Sequence, residues 1–181
     1  MDGLILPFLT VLLAELGDKS FLTVSLLASK TNRHLTVFGG AFTAYIIINT
    51  LTAFAGHSLA DMINLEILTI GAGIIFILFG IKSILSKEET SPETLQASTL
   101  FRSTFGLIFI AEIGDRTNIA TGLFATQYHP LIVLLGVLTA LAIVTLLAIE
   151  LGKWMAKRVN HTLIAQISGL IFIAIGVWML V

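Results

Sequence analysis

Residues 14–20 read AELGDKS and residues 111–117 read AEIGDRT, so one charged heptapeptide occurs twice in an otherwise apolar chain. Each copy stands inside a hydrophobic run long enough to cross a bilayer, where ionisable groups are expensive and generally functional. On a continuous helix a Glu and an Asp three residues apart share a face. Glu15 and Asp18 are spaced so, as are Glu112 and Asp115, with Gly17 and Gly114 between the acids. The base comes four residues after the Glu, Lys19 after Glu15 and Arg116 after Glu112, the favourable order for a local ion pair. Each heptapeptide is thus expected to form a compact patch of two acids, one base and one hydroxyl, Ser20 or Thr117. The two glycines remove a side chain where another helix or a hydrated ion could approach the backbone.

The surroundings fix the class. Of 181 residues, 56% are hydrophobic and 12% charged, with a mean hydropathy of +1.00, whereas a soluble domain is about one-quarter charged. This composition reads as an all-α integral membrane protein. A net charge of -1 offers no field to draw nucleic acid. The absence of cysteine removes disulfides, thiolate metal sites and cysteine nucleophiles together. Six segments reach the length that a bilayer core demands, at about 5–28, 35–56, 67–85, 101–125, 131–151 and 163–181. Pro7 and Pro130 fall at or near helix starts, where a missing N–H costs least. The run at 4–14 has the apolarity of a secretory signal but no positive residues before it and no cleavage-like loop after it, so it reads as part of a retained span.

One polar stretch, SKEETSPETLQAST at residues 86–99, divides the chain into halves of three spans each. The expected organisation is a first three-helix repeat at 1–85, a cytoplasmic linker at 86–100 and a second repeat at 101–181. A shift of 97 superposes Ala14, Glu15, Gly17, Asp18 and Gly39 on Ala111, Glu112, Gly114, Asp115 and Gly136. A shift of 96 superposes Gly56, Ala60, Asn64, Gly73 and Gly80 on Gly152, Ala156, Asn160, Gly169 and Gly176. These glycines read as close-packing positions between helices. Outside the heptapeptides the other eight basic residues lie near three connections: Lys30 and Arg33; Lys82, Lys87 and Arg102; Lys153, Lys157 and Arg158. The positive-inside rule makes those connections cytoplasmic and puts both termini outside. An odd number of spans per half then inverts the second repeat relative to the first, and in such carriers the substrate site lies near the midplane between repeats.

Charge counting suggests what the heptapeptides do. Four acids at span centres cost on the order of 10 kcal/mol before pairing. Glu15, Asp18, Glu112 and Asp115 with Lys19 and Arg116 leave a surplus of two negative charges, which one divalent cation or two protons would cancel. A purely structural ion-pair lock has no need of that surplus, and buried pairs supply little net stability. Oxygen donors form a hard site suited to Ca²⁺, Mn²⁺ or Mg²⁺, and they do not separate manganese from calcium. The histidines, His34, His57, His129 and His161, fall in connections and read as interfacial. Asn49, Asn118, Thr121 and Gln127, with Thr23 and Ser25, are candidates to complete coordination or line a path; an interhelical hydrogen bond is the plainer role for each. Glu150 is expected to pair with Lys153 at the interface.

Six spans in two halves, each opening with Glu-x-Gly-Asp-(Lys/Arg)-(Ser/Thr), resemble the GDT family of cation/proton antiporters, which includes bacterial manganese exporters and organellar calcium/manganese transporters. The resemblance covers almost the whole chain, and both motifs fit as written. It implies a carrier without a cofactor, in which Glu15, Asp18, Glu112 and Asp115 bind the cation and take part in proton exchange. It further implies Mn²⁺ as the first substrate and Ca²⁺ as the next. The short termini look like those of a prokaryotic member in the inner membrane. Its partners are then divalent cations, protons and the bilayer, with any oligomer left open by the sequence.

Two other classes compete. An intramembrane aspartyl protease also buries acids, but a base immediately after each Asp disfavours the shared proton of a catalytic dyad, so no catalytic residue is assigned. A passive cation channel, or a small-solute exporter on a related six-span plan, would need no coupling to protons.

Overall fold

A computed structural model describes residues 2–55, 65–85, 96–113, 115–158 and 161–180. Its described residues form eight helices: α1 (Asp2–Glu15), α2 (Lys19–Ser29), α3 (His34–Ala55), α4 (Leu65–Leu85), α5 (Ala97–Glu112), α6 (Arg116–Gln127), α7 (Pro130–Arg158) and α8 (His161–Leu180). Two of them, over His34–Phe54 and Pro130–Arg158, are by themselves long and apolar enough to cross a membrane.

The expected spans at 5–28 and 101–125 are each two helices, not one. α1 stops because Gly17 takes a φ of +86°, a left-handed conformation that only glycine adopts cheaply. Asp18 is then extended and serves as the N-cap of α2. In the second half Ile113 is extended after Glu112, and Asp115 caps α6 by accepting from the Thr117 N–H. At Asp115 the carboxylate meets an unsatisfied N–H of the first turn, the usual reason for Asp at a cap, whereas the Asp18 side chain makes no such cap bond. The heptapeptides are therefore helix breaks, and the shared helical face expected for Glu and Asp does not exist.

Other boundaries need smaller corrections. α5 begins at Ala97, inside the stretch assigned to the linker, and residues 86–95 lie outside the described residues, as do 56–64. α7 runs on to Arg158, beyond the expected end at 151. Pro130 opens α7 as anticipated, whereas Pro7 lies inside α1.

The helices pair in matching ways. α1 packs on α7 and α5 on α3; α2 packs on α7 and α6 on α3; α1 meets α6 and α5 meets α2. α4 packs chiefly on α8. There Gly73 faces Gly176 and Gly80 faces Gly169, so an early residue of one helix meets a late residue of the other and the two run antiparallel. An added methyl at Gly80 would lie 2.6 Å from the Gly169 carbonyl, and one at Gly73 would lie 2.8 Å from that of Gly176. Phe76 and Phe172, which correspond under the shift of 96, meet with ring centroids 6.0 Å apart. The anticipated packing role of these glycines is thus visible as close backbone approach.

The distribution of polarity is that of a protein in lipid. Leu13, Leu78, Leu135 and Trp178 are all more than 60% exposed, while Glu15, Ser20, Asn49, Thr104, Glu112, Asn118 and Thr145 are buried. Many hydroxyls return to their own helix, as Thr23 does to the Lys19 carbonyl (2.7 Å) and Ser25 to that of Phe21 (2.8 Å), which satisfies them without a partner helix. At one end of α7 Lys153 pairs with Glu150 at 2.6 Å, as expected, and Arg158 lies over the Trp154 ring.

Candidate functional site

The two helix breaks face each other. Glu15 ends α1 and is fully buried, Asp18 and Asp115 cap the helices that follow, and Glu112 ends α5 with 1% exposure. Glu15, Asp18 and Asp115 each offer a carboxylate oxygen, and the three oxygens lie within 4.8 Å of one another. This spacing suits one ion ligated by three acids, two from the first half and one from the second. Glu112 is outside that trio but within electrostatic reach of Glu15, Asp18 and Asp115.

The expected i,i+4 ion pair of Glu15 with Lys19 is replaced by a link between halves. Because α1 ends at Glu15 and α2 starts at Lys19, the Lys19 side chain leaves Glu15 and bonds the Asp115 carboxylate of the other break. Ser20, the next residue, donates to the Glu112 carboxylate. Asp115 also accepts from the Thr117 hydroxyl at 3.1 Å. Neither carboxylate oxygen of Glu15 has a hydrogen-bond partner among the described residues. The Arg116 side chain and Gly114 lie outside the described residues, and with them the pairing expected between Glu112 and Arg116.

Of the auxiliary positions, Asn118 is buried and its Nδ2 donates to the Glu112 carbonyl at 2.5 Å, while its Oδ1 has no partner among the described residues. Asn49 donates to the Tyr45 carbonyl at 3.0 Å and its Oδ1 accepts from Thr121 at 3.4 Å, linking α3 to α6. Gln127 stands apart: it is the exposed last residue of α6, three turns from the break. The first-half hydroxyls of Thr23 and Ser25 are spent on their own helix. His34 opens α3 and His129 is exposed between α6 and α7, both away from the breaks.

Two residues at the site carry no mark in the motif. Tyr45 of α3 is 1% exposed, with its hydroxyl within reach of Ser20 and Thr145 and near both Glu15 and Glu112. A signal for it existed, since Tyr45 lies one helical turn before Asn49 and therefore shares its face. Thr145 corresponds to Asn49 under the shift of 96, and it bonds the Leu141 carbonyl at 2.6 Å as Asn49 bonds that of Tyr45.

A shallow, mostly apolar groove of about 370 Å³ runs beside the first break, lined by Gly17, Asp18, Lys19 and Leu22 on one side and by Ile171, Ala174, Ile175 and Trp178 of α8 on the other.

Comparison with known proteins agrees with this chemistry. The sequence profile of the family described as "Divalent cation/proton antiporter GDT1" matches residues 3–91 and 100–181. A GDT1-like protein of Schizosaccharomyces pombe is 28% identical over 219 residues, covering 90% of this chain and 76% of its own length. GDT1-like protein 3 of Arabidopsis thaliana is 28% identical over 204 residues, covering 97% of this chain and 69% of its own. A Vibrio cholerae protein named "Putative manganese exporter" is 27% identical over 175 residues, covering 96% of this chain and 88% of its own. No solved structure matches the chain.

Proposed function

The chain belongs to the GDT1 family of divalent cation/proton antiporters, membrane transporters and not enzymes, and we propose on that premise that it exports Mn²⁺ in exchange for protons. Ca²⁺ is the next substrate. The observation that carries this reading is the trio of carboxylate oxygens from Glu15, Asp18 and Asp115 within 4.8 Å of one another. An all-oxygen donor set suits a hard cation, with water and backbone carbonyls free to fill a flexible coordination shell. Glu112, held beside the trio by Ser20, completes the four acids whose surplus charge one divalent ion or two protons would neutralise. No resident cofactor is required: the metal and the protons are cargo.

The carrier framework proposed is six membrane crossings in two inverted halves, with the first and fourth crossings broken at the site. Support comes from the antiparallel packing of α4 on α8, because corresponding helices that meet antiparallel relate the halves by an axis across the helices. The matched pairings of α1 with α7 and α5 with α3 agree. Half-helix ends at the midplane are where such carriers ligate ions. The basic connections then face the cytoplasm of a prokaryotic inner membrane, and both termini face out.

Reconstituted vesicles test the reading. With an acidic lumen, Mn²⁺ or Ca²⁺ should enter only as the proton gradient collapses, and Glu15→Gln should abolish the flux. Cation movement indifferent to the gradient would make the protein a channel and sink the proposal.

A further inference from the structure

We infer that the Lys19 ammonium stands in for the transported cation, holding Asp115 until an arriving divalent ion displaces it. The inference rests on the transport reading above and names the step that follows binding.

Lys19 opens α2 in the first half, yet its side chain ends on the acid that caps α6 in the second. Both side chains are mostly buried, 13% and 15% exposed. Asp115 is also one of the three acids whose oxygens lie within 4.8 Å, so the partner chosen by Lys19 is a member of the cation site. The remaining fully buried acid of that trio, Glu15, has both oxygens without hydrogen-bond partners among the described residues.

An ammonium and a divalent ion cannot share such a site. Like charges a few ångströms apart in a partly dry interior repel strongly, and an ammonium is only a donor, so it offers the metal no ligand. Binding across Glu15, Asp18 and Asp115 therefore requires Lys19 to leave Asp115. Glu112, within electrostatic reach of Lys19, keeps the displaced charge compensated. Lysine suits this role better than arginine, since a point charge on a flexible stem releases a carboxylate more readily than a planar fork that grips both oxygens.

The tether has a thermodynamic signature. Apparent affinity for the ion is lowered by the fraction of carriers in which Asp115 has been released. In exchange, the vacant carrier never presents three uncompensated acids to the membrane interior.

Titration of the purified chain with Mn²⁺, following loss of the free-ion paramagnetic resonance signal, separates the outcomes. Lys19→Met should bind Mn²⁺ about tenfold more tightly than wild type, and Lys19→Arg should bind it more weakly. Lys19→Gln serves if the Met variant does not purify. A merely structural lysine predicts weaker binding in both variants, and a bystander charge predicts an unchanged Arg variant; either result overturns the inference while leaving the transport reading intact. Failure of the wild-type chain to bind Mn²⁺ overturns the transport reading and this inference with it.

Discussion

The α4–α8 crossing and the facing helix breaks are each built from corresponding parts of the two halves, one through apolar packing and the other through charge. At the crossing the glycine contact occurs twice with roles exchanged, Gly73 on Gly176 and Gly80 on Gly169, and Phe76 meets its own counterpart Phe172. At the breaks the described links cross singly: Lys19 and Ser20 of the first copy reach over to Asp115 and Glu112, while Thr117 donates to Asp115 of its own copy and lies within reach of Glu15. Packing is indifferent to which half supplies a surface, but charge is not, because one proton or one ammonium cannot be in two places.

The widest gap between the copies should appear in the glutamates. Glu15→Gln is expected to lower Mn²⁺ binding by at least about 100-fold, the loss of a ligand, whereas Glu112→Gln, altering an acid already engaged by Ser20, should cost less. Equal losses measured by Mn²⁺ titration would erase the distinction.

At the crossing the expectation is the reverse, equality. Gly80→Ala and its counterpart Gly176→Ala should each destabilise the protein by about 2 kcal/mol through overpacking, read from denaturant or thermal unfolding in detergent. A clear difference between them would show that the crossing is less symmetric than its contacts.

Hydroxyl removal sharpens the comparison on a smaller scale. Ser20→Ala strips the buried Glu112 carboxylate of a donor and should weaken cation binding by about tenfold. Thr117→Ala should do less, because Asp115 keeps Lys19.

The smallest effect lies outside the spans. Lys30 donates to Ser83 of α4 at 2.7 Å, and burial pushes its ammonium down from 10.5 to about 8. Between those values the unfolded chain binds more protons than the folded one, so stability should rise as pH climbs through that window. Lys30→Met should remove a rise of about 2 °C in melting temperature.

How much of this was legible can be judged residue by residue. Hydrophobic length located α3, α4, α7 and α8 to within a few residues at most ends, because burying a polar backbone in lipid leaves few alternatives. The acids, too, announced themselves by their cost in an apolar run. Their partners did not. The i,i+4 pairing of Glu15 with Lys19 presumes a continuous helix, and α1 ends at Glu15, just before Gly17 turns at φ +86°. Once the chain turns there, Lys19 points to the other half, a contact separated by 96 residues that no local rule reaches. Gln127 sits three turns from the break at the exposed end of α6, a distance that polarity in an apolar stretch does not reveal. Tyr45 escaped notice because its chemistry is half apolar, and only its register with Asn49 betrays it.

The α4–α8 crossing has a consequence for ancestry. A surface that meets its own counterpart, with Phe76 on Phe172, is self-complementary in the way a two-fold homodimer interface is. Such self-complementarity is what duplication of a half-length sequence would leave where its two copies pack on each other.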